Sequence, residues 1–391
     1  MRKIVIASDS FKGSLTSSEV AKAAAAGAER AFPGCQTICL DIADGGEGTS
    51  ATLTKALGGH TETATVSDPL SRKIQATYGI AEISGTRTAI IEMSQASGLP
   101  LLKASERNPL LTSTYGTGEL ILDALSKGCT RFIIGIGGSA TNDGGTGMLE
   151  ALGAKFTDVH GNPITGLCGG KIGAVRKIDT GSFPRAVAGA EFVVACDVET
   201  GYFGPEGAAA VFGPQKGATP DMVAELDEGM KNLNTIIMRD FGIDLNGIKG
   251  SGAAGGLGGA FHAFLNATLK KGIDLVLESI GFEDAIAGAD LIITGEGRID
   301  GQTGKGKVIS GIAAVAQKHG IPVIAIAGMV DMNQQQMEEC GLMAAYEIGP
   351  RPQNESDLEH AMRSEVASMN ISDTVARALE SLSPSLFRVN P

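Results

Sequence analysis

Short apolar runs that end in glycine-rich turns bearing a carboxylate recur along this chain, and they restrict its fold more than any other feature. KIVIAS (3–8) leads to Asp9 in ASDSFKG, and TICLDIA (37–43) to Asp44 and Glu47 in ADGGEGT. RFIIGI (131–136) leads to Asp143 in GGSATNDGGTG, EFVVACDV (191–198) carries Asp197, and DLIIT (290–294) leads to Glu296 and Asp300 in GEGRIDGQTGKGK. A run too short for a helix, then a glycine turn, then a helix-period segment, is the strand–loop–helix unit of a parallel α/β sheet. In such open sheets, ligands lie beyond the carboxyl ends of the strands. Glycines there let backbone N–H groups face phosphate oxygens, and carboxylates hold Mg²⁺ or accept a proton. Aspartate and glycine are also ordinary turn formers. It is their repetition after strand after strand that points to a site.

The alternation is interrupted. After KIVIAS, Thr16 and Glu19 form a capping box for an alanine-rich helix that stops at Pro33-Gly34. From IQATYGIAE (74–82) and TRTAIIEMS (86–94) the pattern is that of an antiparallel pair. A helix over 118–127 and a long amphipathic segment over 221–240 follow. Strand–helix alternation returns with a helix near 274–287, DLIIT, a helix over 305–318 and IPVIAIAG (321–328). A chain of 391 residues exceeds one ordinary core. The expected plan is a Rossmann/flavodoxin-like parallel-sheet domain from 1–60 and 286–391, with a second α/β domain over 61–285 inserted in it.

Composition narrows the partners. Glycine supplies 55 residues, about twice ordinary usage, with no collagen-like period. A net charge of −12 without a basic block disfavours nucleic acid and anionic membrane. The six cysteines form no C-x-x-C or zinc spacing, as expected for free thiols in the cytoplasm. The start lacks a signal-peptide core. The stretch 251–269 has no charged residue but five glycines, which favours a glycine loop running into a buried helix over a membrane span.

Two motifs nearly match known phosphate cradles. GQTGKGKV (301–308) fits the P-loop except that Val308 replaces the Mg²⁺-binding hydroxyl, and its strand is expected to end six residues earlier. GSGAAG (250–255) matches the dinucleotide fingerprint without a strand before it. Neither is expected to act in its usual way, although Lys305 and Lys307 at a helix start suit an anion.

Taken together and in order, ASDSFKGSLTS, ADGGEGT, GGSATNDGGTG, GSGAAGGLG and ITGEGRIDGQTGKGK resemble the two-domain bacterial glycerate kinase family over essentially the whole chain. That family lacks a Walker A loop, so the resemblance makes GQTGKGK one wall of its own cleft. It implies ATP-dependent phosphorylation of D-glycerate in the breakdown of glucarate, galactarate or glyoxylate-derived carbon. The 2-phosphate is the favoured product and the 3-phosphate the alternative. ATP and Mg²⁺ are the implied cofactors, with a monomer or homodimer in the cytoplasm.

Phosphoryl transfer is mostly positioning and charge neutralisation. Lys12, Asp44, Asp143 and Asp197 are the expected catalytic group, with Asp44 and Asp143 on the metal and Asp197 as the base. Gly137, Gly138, Ser139, Thr141, Asn142, Glu296, Asp300, Lys305 and Lys307 are the expected nucleotide- and phosphate-binding residues. The alternatives are an oxidoreductase on a Rossmann-like sheet, which cofactor absorbance would reveal, and a non-catalytic ligand-binding regulator, which would release no ADP with glycerate.

Overall fold

The computed structural model describes residues 2–42, 48–300 and 308–382. Its strands are β1 (Lys3–Ser8), β2 (Gln36–Asp41), β3 (His60–Ser67), β4 (Lys73–Ile83), β5 (Thr86–Glu92), β6 (Arg131–Gly135), β7 (Lys155–Thr157), β8 (Pro163–Ile164), β9 (Lys177–Asp179), β10 (Glu191–Ala195), β11 (Thr268–Lys270), β12 (Leu291–Ile299), β13 (Val323–Val330) and β14 (Ala344–Glu347). The chain separates into two compact units, 1–44 with 273–391, and 45–272.

The first unit holds a five-stranded sheet in the order β14–β13–β12–β1–β2, every pair parallel. Both ends of the chain therefore share one sheet, as the returning strand–helix alternation predicted. Counted within the unit, the order is 2-1-3-4-5, that of flavodoxin-like sheets, and it reverses between β1 and β12. Side chains alternate across the strands to feed two cores. Ile4, Ile6 and Ile293 pack with Ile371 and Val375 on one face, while Val5, Ala7 and Ile292 pack with Ile309 and Ile312 on the other. The helix Ser17–Ala31 begins at the expected capping box: Glu19 N–H donates to Thr16 Oγ1 at 3.3 Å, and Thr16 N–H to the Glu19 carboxylate at 2.8 Å. It packs on the helix Ser364–Ser381 at Gly27, where a Cβ would collide with the Ser372 carbonyl oxygen.

The second unit is built on a six-stranded sheet, β11–β10–β6–β5–β4–β3. β3, β4 and β5 run antiparallel, and β5, β6, β10 and β11 run parallel. A small β8–β7–β9 sheet lies apart, from strands too short to leave a periodic signature. The long amphipathic segment is the helix Pro220–Phe241, opened by Thr219 and closed by Gly242 at φ 73°.

Two boundaries differ from expectation. The helix Thr49–Ala56, assigned from sequence to the terminal domain, belongs to the second unit. The buried Glu92 carboxylate at the end of β5 accepts Ser50 N–H at 2.7 Å and Gly48 N–H at 3.3 Å, and Ser50 Oγ donates to Ile90 O. These tertiary bonds tie the helix start to that sheet. Conversely, the expected helix near 274–287 is two short helices, Gly272–Ser279 and Phe282–Ile286, and it packs Ile273, Val276 and Phe282 into the first unit's core.

Candidate active site

In the second unit, the carboxyl ends of β6 and β10 lie side by side, because Val194 pairs with Ile134 and Ala195 with Gly135. The turns that follow them line one cavity of about 410 Å³. Gly137, Gly138 and Ser139 come from the turn after β6, and Asp197 from the turn after β10. Gln215 and Lys216 come from a tight turn, and Ala253 and Ala254 from the start of the helix Ala253–Leu265.

The 137–145 loop is braced from both sides. Leu99 N–H donates to Gly138 O, and Ala140 N–H to Ser97 O. Asp143 has no exposed surface, and its carboxylate takes four donors: Thr114 N–H and Thr114 Oγ1 at 2.8 Å each, Gly145 N–H at 3.0 Å and Gly147 N–H at 3.2 Å. Burial pushes its pKa up, and those donors pull against the shift. So placed, Asp143 does not fit the expected metal ligand: both oxygens already serve the loop, and it does not line the cavity. Among the described residues no group of three or more His, Cys, Asp or Glu could hold a metal ion.

Thr141 and Asn142, expected to bind phosphate, are fully buried and do not line this cavity, and Thr141 Oγ1, Asn142 Oδ1 and Asn142 Nδ2 are buried without a hydrogen-bond partner among the described residues. The helix start covers them, and a Cβ at Gly255 would strike the Thr141 carbonyl oxygen. That close approach holds Ala254, Gly255 and Gly256 at positive φ, with Ala254 at 53°. A left-handed alanine costs roughly 1–2 kcal/mol, and persists here because the packing leaves no other path. GSGAAG is thus the entry to a buried helix, as expected, and no strand precedes it.

Asp197 is exposed on the cavity wall, where its Oδ1 accepts Gly272 N–H at 2.8 Å. Cys196 lies beside it, its thiol pushed up by burial and therefore a poor nucleophile.

Sequence reasoning missed Lys216. It is 1% exposed, and its Nζ donates to Thr141 O at 2.6 Å and Ser139 Oγ at 2.8 Å. Burial pushes its pKa down to about 7, with Asp143 pulling it back up. The signal in GPQKGAT was a lysine locked between Pro214 and Gly217, the latter at φ 91°. Nothing local in the sequence shows what that lysine meets.

The first unit brings together a second set at its point of strand reversal. Asp9 N–H donates to Gly295 O, which seats the turn after β1 against β12. Lys12 is exposed in that turn, and a Cβ on Gly297 would lie 4.0 Å from its backbone nitrogen. Glu296 is not in a turn, because β12 runs on to Ile299. It is 8% exposed, and its Oε1 faces Ile309 N–H at 3.4 Å at the start of the helix Val308–Lys318. Asp300 pairs with Arg298 at 3.7 Å. The longer β12 removes the spacing objection to a P-loop at 301–308. The residue objection holds, since Val308 is fully buried and offers no hydroxyl. Asp44, Lys305 and Lys307 lie outside the described residues.

No helix among the described residues is long and apolar enough to cross a membrane. Comparison with known proteins identifies the family. The model of the glycerate kinase family matches residues 4–383. A glycerate kinase of Halalkalibacterium halodurans is 45% identical over 372 residues, covering 93% of this chain and 97% of that protein. The glycerate 2-kinase of Escherichia coli is 45% identical over 346 residues, covering 88% and 90%. A crystal structure provisionally assigned as glycerate kinase 2 of Salmonella typhimurium LT2 superposes with a TM-score of 0.84 at 42% identity, over 97% of each chain. An all-but-complete family match on a two-unit α/β fold leaves one conclusion: the chain belongs to the glycerate kinase family and is a phosphotransferase.

Proposed function

We propose that the chain transfers the γ-phosphoryl group of ATP to the 2-hydroxyl of D-glycerate in the cytoplasm, for the breakdown of sugar acids and glyoxylate-derived carbon. The observation that carries this reading is the cavity at the carboxyl ends of β6 and β10, with the Asp197 carboxylate on one wall and the Gly137–Ser139 turn on another. Its volume of about 410 Å³ lies in the range of small-molecule sites. The choice of product is supported by the E. coli relative, which is named a glycerate 2-kinase.

Asp197 is the group that accepts the hydroxyl proton. Its Gly272 bond fixes one oxygen, and with it the orientation of the carboxylate toward the cavity. A base that takes the proton late suits the loose transition state of phosphoryl transfer, in which little covalent assistance is needed. Glycine backbone at 137–138 gives phosphoryl oxygens close access to the chain. In the first unit, Lys12 at the strand reversal is the cation offered to nucleotide phosphate.

Phosphorus NMR of the product made from ATP and D-glycerate tests the reading. A 2-phosphoglycerate resonance is expected. A 3-phosphoglycerate signal would overturn the regiochemistry, and absence of glycerate-dependent ADP release would overturn the activity.

A further inference from the structure

The cavity wall carries a buried lysine, Lys216, that lacks a counter-charge in contact. Among the described residues, no carboxylate lies within ion-pair distance of Lys216. Asp143 acts on it only through space, and the two acceptors that it touches, Ser139 Oγ and Thr141 O, are neutral. An isolated ammonium is expensive to bury, and proteins keep one where an anion compensates it. An ammonium has three N–H donors, and two are used here. The side chain is also a wall of the cavity, next to Ser139 and Gln215. Its backbone is fixed by Lys216 N–H to Gly213 O at 3.0 Å. Gly217 adds to that, since a Cβ there would meet the Arg107 carbonyl.

We propose that Lys216 donates its remaining N–H to an anionic oxygen of the molecule bound in this cavity, a carboxylate or phosphoryl oxygen, and that Ser139 and Thr141 aim it there. The assignment rests on the reading of this cavity as a substrate site. It makes Lys216 a residue that touches substrate, supplying the positive charge that a protein of net charge −12 must place locally to hold an anion. The two neutral acceptors hold the ammonium in place without cancelling its charge, as a carboxylate partner would.

Calorimetric titration of the whole enzyme with D-glycerate and, separately, with ADP distinguishes the two sources of the anion. Lys216→Met is expected to weaken one of the two ligands at least tenfold, and Lys216→Arg to weaken it less. The arm that changes identifies the oxygen as carboxylate or phosphoryl. Thermal melts run alongside. A lower melting temperature with both dissociation constants unchanged would make Lys216 a brace for the loop only and overturn the assignment. If Lys216→Met does not fold, the wild type is titrated at pH 8 in two buffers of different ionisation enthalpy. Among the described residues, Asp143 acts on Lys216 through space, Asp197 shares its cavity wall and the Arg107 backbone lies beside Gly217, and an arriving anion is expected to draw a proton onto the lysine. No proton uptake with either ligand would likewise overturn it. A wild type that binds neither ligand and releases no ADP would instead remove the proposed function itself.

Discussion

Replacing Asp143 with asparagine separates bracing of the loop from chemistry at the site. Oδ1 of Asp143 takes one donor, from Gly145, and Oδ2 takes three, from Thr114 N–H, Thr114 Oγ1 and Gly147 N–H. The least costly amide keeps its oxygen on the three-donor side and turns its NH₂ toward the Gly145 N–H. That leaves two buried donors without acceptors, at roughly 1–3 kcal/mol each, and weakens three charge-assisted bonds. Relief from burying a full negative charge offsets part of this. A net loss of about 2–5 kcal/mol follows, which for a unit the size of 45–272 lowers the melting temperature by about 5–15 °C. Circular-dichroism melts, paired with coupled assays of ADP release below the transition, measure both sides. Residual turnover is expected to follow the folded fraction. An Asn variant that melts within about 2 °C of wild type, yet turns over a hundredfold more slowly, would refute the bracing role and return Asp143 to the chemistry.

Asp197→Asn keeps the acceptor for Gly272 N–H and should melt as wild type while kcat falls a hundredfold or more; normal turnover in steady-state assays would place the base elsewhere. Lys12→Ala should lower kcat/KM at least tenfold, about 1.4 kcal/mol of transition-state stabilisation, with an unchanged melt. Lys216 gives a pH signature: its folded pKa of about 7 lies below the unfolded value of 10.5, so between those values the unfolded chain holds more protons and stability rises with pH. Relative to Lys216→Met, wild-type stability in urea should therefore increase between pH 7.5 and 9, by up to about 1.4 kcal/mol per pH unit, and a flat difference would contradict the buried lysine.

Much of the first unit was legible because its information is local. KIVIAS, DLIIT and IPVIAIAG are buried on both faces, so they read as continuous apolar runs, and Thr16 with Glu19 announces a helix start on its own. The antiparallel β4–β5 pair was legible for the same reason, its turn lying next to both strands. The domain edge at 49–56 was not legible. A short helix shows where it begins, but not which sheet it joins, and here that was decided by Glu92, more than forty residues along the chain.

The same division runs through the site. Sequence alone determined that glycine turns with carboxylates follow the strands, and so which turns could meet a ligand: Gly137 to Ser139 and Asp197 do line one cavity, because parallel strands put their carboxyl ends together. Only the tertiary structure decided which carboxylates face outward. Asp143 and Asp197 look alike in sequence, each an acid after an apolar strand. One is closed in by Thr114, Gly145 and Gly147 and spends its oxygens on backbone, while the other ends on an open wall. Lys216 shows the limit most plainly: its two acceptors come from a segment some 75 residues away, and a side chain's ionisation is set by what surrounds it in space, which no single stretch of chain encodes.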